Sequence, residues 1–218
     1  MEPGFWLERW ERRETGFHLP DVNPHLTAYW PALALPAGSR VLVPLAGKSV
    51  DSLWLMARGH DVVAVELSPV AAEAFFAEAG LAPHRTSADG FVRYGGPGIE
   101  YLVGDFLTAN PAVVGRVDAV YDRAALVALP SSMRLEYARR LSALQRAGTT
   151  GLLVTFEYEQ AQMTGPPFAV PLAEVHTLFG ATHHIDELAT VDILDQEPRF
   201  KAKGLRALCE RVFRLERR

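Results

Sequence analysis

Between Arg40 and Tyr158, short apolar runs alternate with stretches whose apolar positions recur at helical spacing. That rhythm is expected of a largely parallel sheet with helices on both faces, where strands are apolar throughout because neither face meets water. Residues 41–45 read as the first strand. Residues 49–58 follow as a helix, with Val50, Leu53, Trp54 and Ala57 on one face and Gly59 as its stop. Residues 62–67 are a second strand. Ser68 and Pro69 open the next helix as N-cap and first-turn proline; it carries Val70, Ala74, Phe75 and Phe76 and ends before Gly80. A polar stretch leads to the turn at Gly95-Gly96-Pro97-Gly98. Further strands are predicted at 99–105, 117–122 and 151–158, with a helix over 131–144.

The ends of the chain break this rhythm. Trp6 and Trp10 lie four apart among charges, which predicts a short helix over residues 5–14. A turn-rich segment and a second short helix over 24–33 precede the break at residues 36–38. Past Tyr158, Gly165-Pro166-Pro167 is a stiff loop and residues 172–179 are a helix. Residues 183–194 and 205–215 pair as antiparallel strands around a charged segment at 196–203. About seven strands in one domain spanning residues 1–218 result, with residues 1–36 covering an α/β core over 40–218.

Composition removes several function classes. Net charge is −4 and the pI is near 6.0, so no basic face for nucleic acid is expected. A single cysteine, Cys209, allows no intrachain disulfide and reads as a core residue. No apolar run approaches the ~20 residues that cross a bilayer, and the charged N-terminus is no secretory signal. These features predict a soluble, cytoplasmic monomer that acts on a small molecule. His183 and His184 are adjacent, hence on opposite faces of a strand, so no metal site is expected.

The candidate chemistry sits at the carboxyl ends of the strands, where open α/β sheets bind ligands. Gly47-Lys48-Ser49 resembles the end of a P-loop, but the motif's first glycine falls on Leu42, inside a strand. A dinucleotide fold needs three glycines for its pyrophosphate, and the turn after strand one has only Gly47. S-adenosylmethionine has no phosphate, and one glycine suffices for it. Glu66 ends strand two, 19 residues beyond Gly47, where a carboxylate accepts from both ribose hydroxyls. Asp105 and Phe106 follow strand three, placed for the adenine amine and ring. Asp122 and Arg123 follow strand four on the same edge. Acids near a cationic sulfonium are electrostatically favourable.

These residues carry a resemblance. The stretches FWLERWERRETGFH (5–18), VLVPLAGKSVDSLWLMARGHDVVAVELS (41–68), DAVYDRAALVALP (118–130) and GPPFAVP (165–171) resemble the bacterial thiopurine S-methyltransferases, in order and across nearly the whole chain. The resemblance implies a class I (Rossmann-like) methyltransferase fold and methyl transfer from S-adenosylmethionine to the sulfur of an aromatic or heterocyclic thiol. It also implies a link to selenium and tellurium species. It places Trp10, Leu45, Glu66 and Arg123 at the cofactor, with Asp105 and Phe106 on the adenine side. It places Phe17, Arg123 and Arg199 at the substrate, and residues 1–36 as a lid. Ala46 stands where the family commonly has cysteine. That cysteine is no nucleophile, so a change in packing or substrate preference is expected. His18, beside Phe17, is either a second substrate contact or a loop histidine satisfied locally. The rival readings are an O- or N-methyltransferase on the same fold and a non-catalytic cofactor-binding protein. A thiolate reacts by direct displacement, needing positioning and a cation rather than a strong base.

Overall fold

The computed structural model describes residues 3–16 and 18–218, with the side chains of Pro3 and Ala88 left aside. In chain order the elements are α1 (Pro3–Glu11), α2 (Pro24–Tyr29), β1 (Arg40–Pro44), α3 (Val50–Ala57), β2 (Asp61–Glu66) and α4 (Pro69–Glu78). There follow β3 (His84–Ala88), β4 (Phe91–Gly96), β5 (Ile99–Val103), α5 (Pro111–Val114), β6 (Ala119–Arg123) and α6 (Ser131–Ala143). The chain closes with β7 (Thr150–Glu157), α7 (Leu172–Phe179), β8 (His183–Asp192), α8 (Pro198–Ala202) and β9 (Cys209–Arg217).

The sheet runs β3-β4-β5-β2-β1-β6-β7-β9-β8. Its five central strands are parallel, and both flanks are antiparallel. Residues on alternate sides of each strand feed two cores. Leu42, Val63, Leu102, Val120 and Leu153 pack with Tyr137 and Leu141 of α6 and Phe179 of α7. Val41, Val43, Ala64, Tyr101 and Tyr121 pack with Leu26, Leu55, Phe75 and Phe76 from α2, α3 and α4. A third cluster of Tyr158, Met163, Ile193, Phe200 and Leu208 holds the segment between β7 and β9 together. Strand succession reverses at β1: the chain fills β2 and β5 on one side, then β6 and β7 on the other. The crevice of such a sheet opens at that reversal.

The α/β class, the parallel centre and the antiparallel C-terminal pair agree with the sequence reading. Among the described residues nine strands replace the expected seven or so. The two additional strands are the β3–β4 hairpin, built from the polar stretch ahead of Gly95. That hairpin is an exposed edge whose ring anchors, Phe91 and Tyr94, are too sparse to make an apolar run. Two helix faces also differ. Helix α3 buries Asp51, Ser52 and Leu55, and leaves Val50, Leu53 and Trp54 half-covered. Asp51 goes inside because two donors receive its carboxylate there. Helix α4 buries Ala71, Ala72, Phe75 and Phe76 and exposes Val70, since alanines let it lie close to β2 and β5. Cys209 is half-buried at the start of β9 rather than in the core, and burial raises its thiol pKa.

Candidate active site

The chain leaves β1 through a turn held in left-handed backbone at Leu45 (φ +48°) and Gly47 (φ +56°). Leucine pays a steric cost there, and residues held so are typical of ligand-binding turns. Gly47 is required for a second reason. A Cβ on it would stand 3.3 Å from Cζ2 of Trp10, so the α1 indole lies against the bare turn. The turn is tied down on three sides. Ala46 N–H donates to the Val65 carbonyl at 3.1 Å, Gly47 N–H to Glu66 Oε2 at 2.8 Å, and Tyr101 hydroxyl to the Gly47 carbonyl at 2.9 Å.

Glu66 closes the far side. Its Oε1 accepts the Ser68 N–H at 2.8 Å, so one carboxylate braces both the β1 turn and the start of α4. Ser68 caps α4 by position only, without a side-chain hydrogen bond. Burial raises the Glu66 pKa, and the Ser68 and Gly47 amides offset part of that rise. A carboxylate has about four lone-pair sites, more than its backbone amide partners occupy, so it can still accept from a hydroxyl donor.

Asp105 accepts the Leu107 N–H at 2.9 Å and opens a single 3₁₀ turn carrying Phe106. The Phe106 ring is buried, with its centroid 5.0 Å from Tyr137. Arg123 ends β6 and is followed by Ala124 at φ +63°, a second strained non-glycine residue on this edge. Asp122 turns away from the crevice. Its oxygens accept the Tyr137 hydroxyl at 2.7 Å and the Leu126 N–H at 3.2 Å, and burial lifts its pKa to about 6.

These ends enclose one cavity of about 370 Å³. Trp10, Leu45, Gly47, Glu66, Asp105 and Phe106 all line it. Arg123 and Arg199 line it too, so eight of the nine candidate site residues converge there. The ninth, Phe17, lies outside the described residues. Among the described residues Arg123 makes no ion pair within 4 Å, so its charge faces the cavity without a carboxylate partner. Arg199 pairs with Glu197 at 2.8 Å, donates to the Gly16 carbonyl, and stacks 4.8 Å over Phe200. It therefore joins α8 to the N-terminal segment while its side chain stays exposed. His18 also lines the cavity. Burial first, then the Lys48 and Arg123 charges, lowers its pKa, against a smaller pull from Glu78 and Asp51.

The residues present suit an adenosyl sulfonium ligand. The crevice offers a buried acid and the apolar walls Leu45, Val65 and Phe106, and the Ala46 and Gly47 amides of its turn are already given to Val65 and Glu66. Among the described residues, no cluster of three or more His, Cys, Asp or Glu is placed to hold a metal. Nor is any helix among them long and apolar enough to cross a membrane.

Sequence reasoning missed Asp51 and Tyr121, which line the cavity and are joined by a 2.9 Å hydrogen bond. Asp51 carries no signal of this, since it lies between Val50 and Ser52 in the first turn of α3, and Tyr121 reads as an ordinary strand residue. It also missed Tyr137 and the pair Pro166 and Pro167, which come in from α6 and the loop after β7.

The comparisons agree across the whole chain. The family profile described as Thiopurine S-methyltransferase matches residues 1–218. A thiopurine S-methyltransferase from Xanthomonas campestris pv. campestris (strain 8004) is 52% identical over 218 residues, covering 100% of both chains. One from Pseudomonas fluorescens (strain SBW25) is 47% identical over 215 residues, covering 99% of each. Among solved structures, the Burkholderia thailandensis 1,6-didemethyltoxoflavin-N1-methyltransferase superposes with a TM-score of 0.65 at 19% identity, covering 99% of this chain and 86% of that one. A methyltransferase from Methanosarcina mazei superposes at 0.64 with 15% identity, covering 90% and 98%. At those identities the likeness establishes the fold.

Proposed function

Since the chain belongs to the thiopurine S-methyltransferase family, and so is an enzyme whose methyl donor is S-adenosylmethionine, we propose that it methylates the sulfur of an aromatic or heterocyclic thiol by direct in-line displacement. The observation that carries the sulfur assignment is the balance of groups in the cavity. Arg123 is a cation that lines the cavity without an ion-pair partner among the described residues, so an anionic acceptor is favoured there. Phenols and amines need a base to become nucleophiles at pH 7. A heterocyclic thiol ionises near neutrality and needs only a nearby cation.

The donor supplies an electrophilic methyl on a sulfonium. The chain's residues do the rest. Glu66 receives the ribose hydroxyls, while Asp105 and Phe106 hold the base. Leu45 and Gly47 let the backbone approach. Arg123 steadies the acceptor anion. Trp10, Gly16 and His18 belong to a lid, fastened to α8 by Arg199, that excludes water and fixes a flat acceptor. Selenols and related tellurium species, as softer nucleophiles, belong to the same acceptor class. One domain, a monomeric state and a cytoplasmic location complete the reading.

The test is a turnover screen with methyl-labelled donor against thiopurines, aromatic thiols, matched phenols and anilines, and selenium and tellurium oxyanions. Thiols are expected to lead by a wide margin in kcat/KM. A phenol or aniline matching its thiol counterpart would sink the sulfur assignment.

A further inference from the structure

Asp51 is 2% exposed, yet it borders the cavity. Its Oδ1 accepts the Asn23 N–H at 2.8 Å and its Oδ2 the Tyr121 hydroxyl at 2.9 Å. Both donors are neutral. Among the described residues no Lys, Arg or His nitrogen lies within 4 Å of it, so it is a buried carboxylate without a counterion. Such a charge is costly unless something cationic reaches it. Two of its lone-pair sites are free.

Its place in the sheet says which cation. Glu66 ends β2 and Asp105 follows β5, both on one side of β1, so the adenosine half of the donor lies that way. Asp51 is fixed through Tyr121 to β6, the strand on the other side of β1 that ends in Arg123. That is the direction in which the amino-acid end of the donor must extend, and that end carries an ammonium.

We propose that Asp51 is the counterion of the donor's α-ammonium, with Arg123 left to face anions. The proposal rests on the family's cofactor and not on the nature of the acceptor. The same carboxylate anchors Asn23, so filling this subsite also steadies the segment that follows the lid.

Calorimetry separates this role from a structural one. S-adenosylhomocysteine carries the ammonium, whereas 5′-methylthioadenosine lacks the whole amino-acid end. Asn at position 51 can still accept from Asn23 and donate to Tyr121, but it has no charge. Asp51→Asn is expected to weaken S-adenosylhomocysteine by about 10- to 100-fold, the range of a lost charge-assisted hydrogen bond, and to leave 5′-methylthioadenosine within about twofold. Asp51→Glu, which keeps the charge, should recover part of the loss. Tyr121→Phe removes one hydrogen bond from the carboxylate without touching its charge, and should hold S-adenosylhomocysteine within about threefold. Equal losses for both ligands, no loss for either, a Glu variant no better than Asn, or a Tyr121→Phe effect as large as that of Asp51→Asn would each overturn the proposal. None of these readouts depends on a thiol, so the acceptor assignment stands or falls separately.

Discussion

Asp122 and His183 pull the pH dependence of stability in opposite directions. Burial raises the Asp122 pKa from 3.8 to about 6, and burial lowers that of His183 from 6.5 to about 4. Between those values the folded protein holds a proton on Asp122 that the unfolded chain releases, so this group makes stability fall as pH rises from about 4 to 6. His183 does the reverse. The unfolded chain binds a proton that the folded protein refuses, so stability rises from about pH 4 to 6.5. Each shift spans a little over two units, or about 3 kcal/mol at 1.36 kcal/mol per unit, so the two slopes nearly cancel.

The perturbations are Asp122→Asn and His183→Gln, read by urea denaturation at half-unit steps from pH 4 to 7.5. Asparagine can still accept from Tyr137 or Leu126, the two donors Asp122 holds. Relative to the parent, Asp122→Asn should gain about 3 kcal/mol between pH 4 and 6.5, and His183→Gln should lose a similar amount over the same interval. Differences against the parent cancel the contributions of other titrating groups. A flat difference profile for Asp122→Asn would show that its carboxyl is not raised by burial and would refute the reasoning. Asp122 precedes Arg123 but serves the cavity wall through Tyr137. Its substitution should therefore lower kcat/KM without removing an acid limb near pH 6 from the rate profile.

Three further outcomes follow from the site. Glu66→Gln sets an amide NH2 against either the Gly47 or the Ser68 N–H, so it disturbs the turn and loses the ribose acceptor together. Donor affinity should drop by about 1.5–3 kcal/mol by calorimetry, and an unchanged Kd would remove the ribose role. Gly47→Ala meets both a left-handed φ of +56° and the Trp10 ring at 3.3 Å, and should cost about 1–3 kcal/mol in thermal unfolding and weaken donor binding. Arg199→Ala cuts the tie between α8 and Gly16, so the acceptor KM should rise severalfold while the donor Kd stays put; a donor effect of the same size would place Arg199 elsewhere in the mechanism.

The parallel strands were legible because burial on both faces leaves little room for polar residues, and β1, β2 and β7 carry the apolar runs 41–43, 62–65 and 152–154. The donor edge was legible for a related reason. Gly47 and Glu66 are the residues that interrupt those runs, and they are joined at 2.8 Å. Helix α7 matched its expected bounds, Leu172–Phe179, and His183 is buried while His184 is exposed, as alternation requires. Elements whose stability comes from partners distant in sequence were not legible. The β3–β4 hairpin borrows its order from β5. Asp51 reads as an ordinary first-turn acid of α3, and only Tyr121, seventy residues on, shows why it is inside. The Arg199 contact with Gly16 joins residues 183 apart.

Those long-range ties divide the cavity into two regimes. The donor side is built from strand ends whose hydrogen bonds are buried and backbone-directed: Glu66 to Gly47 and Ser68, Tyr101 to Gly47, Asp51 to Asn23. Moving any of them moves the sheet edge. On the proposed reading the acceptor side is built from α8, the loop after β7 and the segment around Gly16 and His18, with Trp10 of α1 against the donor turn. It is closed by an exposed arginine contact and by rings such as Phe200 against Phe156 at 6.1 Å. The exposed Arg199–Gly16 contact costs little to break, so faster amide hydrogen exchange is expected on this side than on the donor side. Acceptor preference can therefore shift through residues such as Phe156, Lys203 and Pro167, all on the cavity wall, while the donor grip is conserved by the fold itself. Ala46 tests the division from the donor side. It is buried beneath the turn, packed against the core that holds Val43 and Tyr101. Ala46→Cys should alter stability by about 1 kcal/mol or less through local packing, and should leave the order of preference among thiols unchanged. A reordering of acceptors by that substitution would mean that the turn reaches the acceptor directly, and that the two sides of the cavity are one.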